Sequence, residues 1–200
     1  MRLVLRITTP LALALAVSGC SVGGMLGGGK GPAWLLTLTP EAPAPASLAR
    51  AAAAGDTVTI NVPVIAKELR TTRVPAQLSP TAVQYVEDLT WIDTPDRLFQ
   101  TLLSETVRRT TNRVVLDGKQ TAFDPGVLVT GQLNRFGFDE ATQAVIVQYD
   151  AAKSAGGGTQ VDTRRFEASV PASGDAASVG AALNRGANQV ALEVAAWIGG

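Results

Sequence analysis

Three long stretches with apolar side chains at alternate positions, separated by short polar segments, constrain the fold most. They cover residues 126–139, 144–150 and 161–170. Such alternation is typical of β-strands that bury one face, and the segments between them are rich in turn-forming residues. We therefore expect an antiparallel meander. The alternation changes phase near Asn134-Arg135, which predicts a β-bulge there.

A helix is predicted after Thr94, before the meander. Thr94 suits the N-cap and Pro95 the first helical position. Phe99, Leu103 and Val107 follow at intervals of four residues, so they form an apolar stripe along one side. The stripe indicates that this helix packs on the sheet.

A second helix, rich in small residues, is predicted within residues 172–200, and Gly199 would end it. Either Asp175 or Ser178 could cap its beginning. Its apolar stripe comprises Leu183, Val190, Val194 and Trp197. Together with the strands, the two helices predict an α+β fold: a mostly antiparallel sheet with two main helices packed on one face.

Shorter strands are expected in the first half of the chain. Residues 34–39 are predicted as a first strand, and further short strands are expected around residues 83–86 and at Val114–Leu116. The alternation over residues 58–64 predicts one strand with a shared face, formed by Val58, Ile60, Val62 and Val64. Pro63 suggests that this strand leaves the ladder or lies at a sheet edge.

The N-terminus has the composition of a secretory signal peptide over residues 1–19. Arg2 and Arg6 precede an unbroken apolar run at 11–17, and the small residues Ser18 and Gly19 follow it. The run is too short to span a bilayer, which needs about 20 apolar residues. The signal peptide is therefore not expected to be part of the fold.

Cys20 is the only cysteine of the chain, so it cannot form an internal disulfide. The sequence Val17-Ser18-Gly19-Cys20 resembles the lipobox of bacterial lipoproteins. That resemblance implies that Cys20 is lipidated and is the first residue of the mature protein; a free or buried cysteine is the alternative. Residues 20–33 then form the lipidated N-terminus and a glycine-rich tether, and residues 34–200 form a single domain.

The composition argues against several functional classes. The chain has no histidine, which removes the commonest general base and the commonest metal ligand. Its 17 basic and 17 acidic residues leave no basic surface for nucleic acid. We expect no cofactor, no metal and no enzymatic activity.

Charged side chains around the first helix have structural interpretations. The arginines near its end complement the helix dipole, with an anion site as the alternative: Arg108, Arg109 and Arg113. Candidate carboxylates for a hydrolase are interpreted as solvated or capping groups: Glu87, Asp88, Asp93 and Asp96. A lipid-anchored hydrolase and a purely structural envelope lipoprotein nevertheless remain alternatives to a binding module.

Several stretches, in order, resemble the ABC-type transport auxiliary lipoprotein family, the PqiC-like proteins. They are the lipobox cysteine, WLLTLTP at 34–40, residues 58–80, residues 85–107 and the closing helix through Trp197. The sequence departs from the family in two places. Trp34 replaces a tyrosine before the leucines, and Tyr149 stands where a tryptophan is common.

The resemblance implies a non-enzymatic subunit of an envelope system that transports lipids such as phospholipids. Its partners would be an ABC transporter in the inner membrane and a periplasmic MCE-domain protein. The chain would be an outer-membrane lipoprotein facing the periplasm, and Ser21 after the cysteine is compatible with that sorting. The sequence leaves the oligomeric state open, with a homo-oligomer as one alternative.

Overall fold

The computed structural model describes residues 34–45, 50–53, 55–116 and 126–199. The predicted signal peptide, Cys20 and the tether lie outside these residues. Eight strands are formed: β1 Thr57–Ile60, β2 Val64–Ile65, β3 Arg73–Ser79, β4 Ala82–Thr90, β5 Val114–Leu116, β6 Val127–Asp139, β7 Ala144–Ala155 and β8 Gln160–Pro171. Two α-helices are formed: α1 Pro95–Thr110 and α2 Ala176–Gly199. None of the described helices is long and apolar enough to cross a membrane.

Strand β6 is the axis of the sheet. It pairs antiparallel with β7, and β7 pairs antiparallel with β8, so the predicted meander is confirmed. The register between β6 and β7 shifts between Leu133 and Arg135, where the phase change had predicted a bulge. The bulge keeps Leu133 and Phe136 on the same buried face although they are three residues apart.

The other side of β6 carries three short strands placed end to end. Strands β1, β2 and β3 each run parallel to β6. Strand β5 flanks β1 in parallel, and β4 pairs antiparallel with β3. The α+β class is confirmed, and the long pairings are antiparallel as predicted. The parallel pairings lie between segments too short to show their direction in the sequence.

Both helices cover the same face of the sheet. Leu133, Tyr149 and Phe166 are cross-strand neighbours on β6, β7 and β8, and all three are buried. Phe99 of α1 lies 5.2 Å from Tyr149 between ring centroids, and Trp197 of α2 lies 5.5 Å from Phe166. The core is therefore the layer between this sheet face and the two helices, as the apolar stripes predicted.

The helix starts follow the predicted chemistry only in part. Thr94 is the N-cap of α1 and Pro95 occupies the first turn, but the Thr94 side chain makes no capping hydrogen bond. Asp175 caps α2, because its Oδ1 accepts the Ser178 amide at 2.9 Å. Ser178 Oγ in turn accepts a hydrogen bond from the Ser173 amide at 3.0 Å. Side chains on both sides of the helix start thus bind backbone amides across it.

The prediction of a first strand at residues 34–39 is wrong. Only Leu36 forms a bridge, a parallel one with Trp91. The segment that follows binds helix α2 instead: the amides of Thr39 and Glu41 donate to the Oδ1 atoms of Asn184 and Asn188, both at 2.8 Å. The hydrogen bonds of this segment therefore go to asparagine side chains and not to a neighbouring strand. The periodicity of apolar residues does not predict such contacts.

The prediction that Val58, Ile60, Val62 and Val64 share a face is also wrong. From Ile60 to Val64 the chain advances four residues, while its partners on β6 advance three, from Val129 to Gln132. The extra residue reverses the facing of side chains, so Ile65 points inwards and Val64 outwards. The expected short strand at 83–86 is longer, as β4, and its partner β3 was not predicted at all.

Candidate docking site

Strand β2 is an open position on the sheet, and we call Val62–Ile65 the β2 edge. Val64 and Ile65 pair with Gln132 and Leu133 of β6, and no other described strand pairs with β2. By contrast, β1 is flanked by β5 and β3 by β4. The described strands therefore leave a gap beside β2, between β5 and β4, where a further strand could pair. Pro63 had suggested an edge or a departure from the ladder, and both are found: the chain leaves β1 before Pro63, and among the described strands β2 pairs only with β6.

The β2 edge presents apolar side chains to solvent. Val62 is 51% exposed and Val64 is 62% exposed, whereas Pro63 and Ile65 between and beside them are buried. The alternation fixes the backbone on the core while it leaves the two valines free. A sheet edge can accept a strand from another chain through its main-chain groups, with side chains at alternate positions adding specificity.

Two hydrogen bonds hold the chain just before Val62 and Pro63. The Asn61 amide donates to the Val129 carbonyl at 2.9 Å, which continues the contact of β1 with β6. Gln100 Nε2 of helix α1 donates to the Ile60 carbonyl at 3.1 Å. These contacts satisfy the end of β1 without a neighbouring strand, so the edge is formed before any partner binds.

Exposed charges of both signs follow the edge. A short 3₁₀ turn, Lys67–Leu69, buries Leu69 and leaves Lys67, Glu68 and Arg70 exposed. Arg73 lies over the ring of Tyr85 at 4.1 Å from its centroid, on the neighbouring hairpin. Apolar side chains bordered by mixed charges are the pattern of a protein interface and its rim.

The four candidate carboxylates of a hydrolase do not converge on one site. Glu87 and Asp88 line a depression of about 400 Å³ together with Glu140 and Asp175. Asp93 lies instead at the start of α1, where its Oδ1 accepts the Thr94 amide at 2.7 Å. Among the described residues, no group of acidic, histidine or cysteine side chains is arranged to hold a metal ion.

Asp175, which borders the same depression, is committed to its helix. Hydrogen bonds from the Ser178 amide and the Ser173 hydroxyl lower the pKa of its carboxyl. A carboxyl with a lowered pKa stays ionised and is a poor general acid at neutral pH. The Tyr149 phenol is likewise unsuited to proton transfer, because burial raises its pKa far above the ordinary value.

The arginines near the end of α1 bind protein groups. Arg109 pairs with Glu105 at 2.8 Å and donates to the Ala42 carbonyl at 2.8 Å. Arg113 Nε donates to the Ile198 carbonyl at the end of α2, at 3.1 Å. Arg113 thus complements a helix end, that of α2, as interpreted, whereas Arg109 binds a side chain and a loop carbonyl and Arg108 lies 3.6 Å from Glu105. A depression of about 730 Å³ lies beside them, at the C-terminal ends of both helices.

Comparisons with known proteins agree with this architecture. The sequence model of the family described as ABC-type transport auxiliary lipoprotein component matches residues 36–195. A crystal structure from Xanthomonas campestris, assigned to family DUF330, is 18% identical with a TM-score of 0.64, and the match covers 84% of this chain and 92% of that one. A second solved structure, of an uncharacterized protein, is 13% identical with a TM-score of 0.62, covering 82% and 99%.

A third solved structure is more distant. The PelC dodecamer from Paraburkholderia phytofirmans is 10% identical with a TM-score of 0.40, covering 72% of this chain and 91% of that one. No curated protein matches the chain. The first two solved structures are similar in fold, and the family match is the finding that concerns function.

Proposed function

The chain belongs to the family of ABC-type transport auxiliary lipoprotein components, and from this premise we propose that it is the docking subunit of an envelope lipid transport system. In this proposal Cys20 carries the lipid anchor, and the domain faces the periplasm from the outer membrane. It binds the periplasmic MCE-domain protein that works with the ABC transporter. The match over residues 36–195 supports the proposal, because it covers all eight described strands, α1 and α2 as far as residue 195.

The β2 edge is the part of the domain that we assign to docking. A partner strand placed in the gap between β5 and β4 would pair with exposed backbone and pack against Val62 and Val64. Main-chain hydrogen bonds would give the affinity, and the two valines would select the register.

A non-enzymatic role is part of the same proposal. The chain has no histidine, and the carboxylates weighed for a hydrolase are divided between a sheet surface and the start of α1. A binding surface therefore fits the domain better than a reaction centre does. Turnover assays with lipid and glycan substrates would test this part separately.

The docking role is tested by photocrosslinking in cells. A photoreactive residue replaces Val62 or Val64 in turn, and the matched control replaces Val161, which is 67% exposed at the start of β8. We expect adducts with the MCE-domain protein from positions 62 and 64 and none from position 161. All three sites are exposed valines, so a difference between them reports on position rather than on accessibility.

Two results would contradict this function. Adducts at equal yield from all three positions would mean that the contacts are collisions. Adducts from none of them, with membrane phenotypes unchanged by deletion of this gene but altered by deletion of the MCE gene, would favour a structural lipoprotein without a transport role.

A further inference from the structure

Three large apolar side chains are exposed together where the described chain begins. Trp34 is 46% exposed, Leu35 48% and Ile92 60%. The backbone holds them close, because Leu36 donates its amide to the Thr90 carbonyl at 2.8 Å and the Ile92 amide donates to the Leu36 carbonyl at 2.9 Å. We call Trp34, Leu35 and Ile92 the tether patch.

The two segments that carry the tether patch are packed against the core. Leu36 and Trp91, the residues that form the bridge between the two segments, face the core: Trp91 is buried, and Leu36 packs against the buried cluster. Leu35 and Ile92 are their immediate neighbours in sequence and are exposed. The alternation that buries one pair therefore turns the other pair to solvent, so the exposure belongs to the fold.

The position of the patch in the chain identifies what it contacts. Only thirteen residues, 21–33, separate Trp34 from Cys20, and six of them are glycine. The sequence predicts a glycine-rich tether here, and a random-coil chain of that length has a root-mean-square span of roughly 20 Å. An anchored domain is thus held at an effective concentration in the millimolar range near the bilayer, where even a weak apolar contact is occupied.

We propose that the tether patch rests on the surface of the membrane that holds the lipid anchor. Tryptophan is enriched at the interface of bilayers, where its ring lies among the headgroups, and Leu35 and Ile92 supply apolar area beside it. The proposal rests on lipidation of Cys20 and is independent of docking at the β2 edge.

The charges around the patch specify the kind of lipid surface. Residues 34–45 and 89–96 contain no lysine or arginine, and Asp93 directly follows Ile92. Lys30 and Arg97 lie just outside these two stretches and form no cluster in the sequence, so we expect little attraction to anionic headgroups. The contact is apolar, so it needs no anionic lipid and is insensitive to salt.

Membrane contact at the patch also orients the domain. Helix α1 starts four residues after Trp91, and the 730 Å³ depression lies beyond its last turn. A helix of 16 residues is about 24 Å long. With the patch on the bilayer, the start of α1 lies near the membrane, and the depression lies at the other end of that helix.

Tryptophan fluorescence of the full lipidated chain tests the proposal. The chain is reconstituted in phosphatidylcholine vesicles whose acyl chains are either brominated or unmodified, after mass spectrometry of its N-terminus confirms acylation. Brominated chains should quench the portion of the emission that Trp34→Phe removes. The double variant Leu35→Ser with Ile92→Ser should lose this quenching, and Val161→Ser should keep it.

Other outcomes overturn the proposal. Equal emission in both kinds of vesicle means that the patch does not touch lipid; a blue shift that grows with protein density, without quenching, would assign it to a second copy of the chain. Quenching that persists in the double variant would mean that Trp34 enters the bilayer without a contribution from Leu35 and Ile92. Quenching that vanishes without anionic lipid or at high salt would replace apolar contact with headgroup attraction.

Discussion

Trp91 connects the segment after the tether to the centre of the core. Its ring is buried and lies 5.4 Å from Phe136, which lies 6.2 Å from Phe99. Its backbone binds as well, because the Trp91 amide donates to the Thr72 carbonyl at 2.7 Å. A large aromatic residue just ahead of a capped helix is expected to pack against the core, and the burial of Trp91 agrees with that expectation.

Replacing Trp91 should therefore destabilise the whole domain. We expect Trp91→Ala to lower the free energy of unfolding by about 3–5 kcal/mol, because the change leaves a large cavity among aromatic rings. Trp34→Ala is the matched control: its side chain is half-exposed, and its effect should stay within about 0.5 kcal/mol. Urea denaturation measures both, and similar losses for the two variants would contradict the assignment.

At the scale of elements, the sequence predicted those segments in which the apolar periodicity is repeated several times. The meander, both helices and the bulge near Asn134 belong to this group, because many side chains of each follow the same period. The facing of β1 and β2 was not predictable, because Pro63 accompanies one extra residue that reverses the pattern within four positions. Strand β3 was missed because Pro75 and the polar residues at its ends interrupt the alternation of apolar and polar side chains.

Helix α2 holds the extended segment at residues 39–41 with two asparagines. Asn188 is 1% exposed; its Oδ1 accepts the Glu41 amide and its Nδ2 donates to the Thr39 carbonyl at 2.9 Å. Asn184 repeats the arrangement one turn earlier in a more exposed setting, accepting the Thr39 amide at 2.8 Å. Buried side-chain amides with paired backbone partners form strong, specific contacts.

We expect Asn188→Ala to cost about 1–3 kcal/mol, because it removes the hydrogen bonds to the Glu41 amide and the Thr39 carbonyl, each worth about 0.5–1.5 kcal/mol. Asn184→Ala, at the exposed end of the same contact, should cost less. Hydrogen exchange gives the local readout: the Glu41 amide should exchange faster in Asn188→Ala while the amides of β7 keep their protection. An unchanged rate at Glu41 would show that the amide is held by something else.

At the scale of the whole molecule, the sequence located the proposed sites through single residues. Pro63 marked the β2 edge, and Cys20 with its lipobox marked the anchor. The tether patch could not be found in this way, because residues 34 and 35 belong to a stretch that resembled a buried strand. Their exposure follows from the single bridge between Leu36 and Trp91, a contact between segments about 55 residues apart.

The lipid anchor that we propose at Cys20 would decide whether the domain is held at a membrane. Cys20→Ser should leave a precursor that is neither processed nor labelled by radioactive palmitate, because the thiol that accepts the diacylglyceryl group is gone. Cell fractionation should then lose the domain from the outer-membrane fraction, since several acyl chains are needed for lasting attachment. Ser21→Ala is a matched control that keeps the thiol and should retain label and processing. Continued labelling of Cys20→Ser, with unchanged fractionation, would refute the lipid anchor and remove the premise of membrane contact at the tether patch.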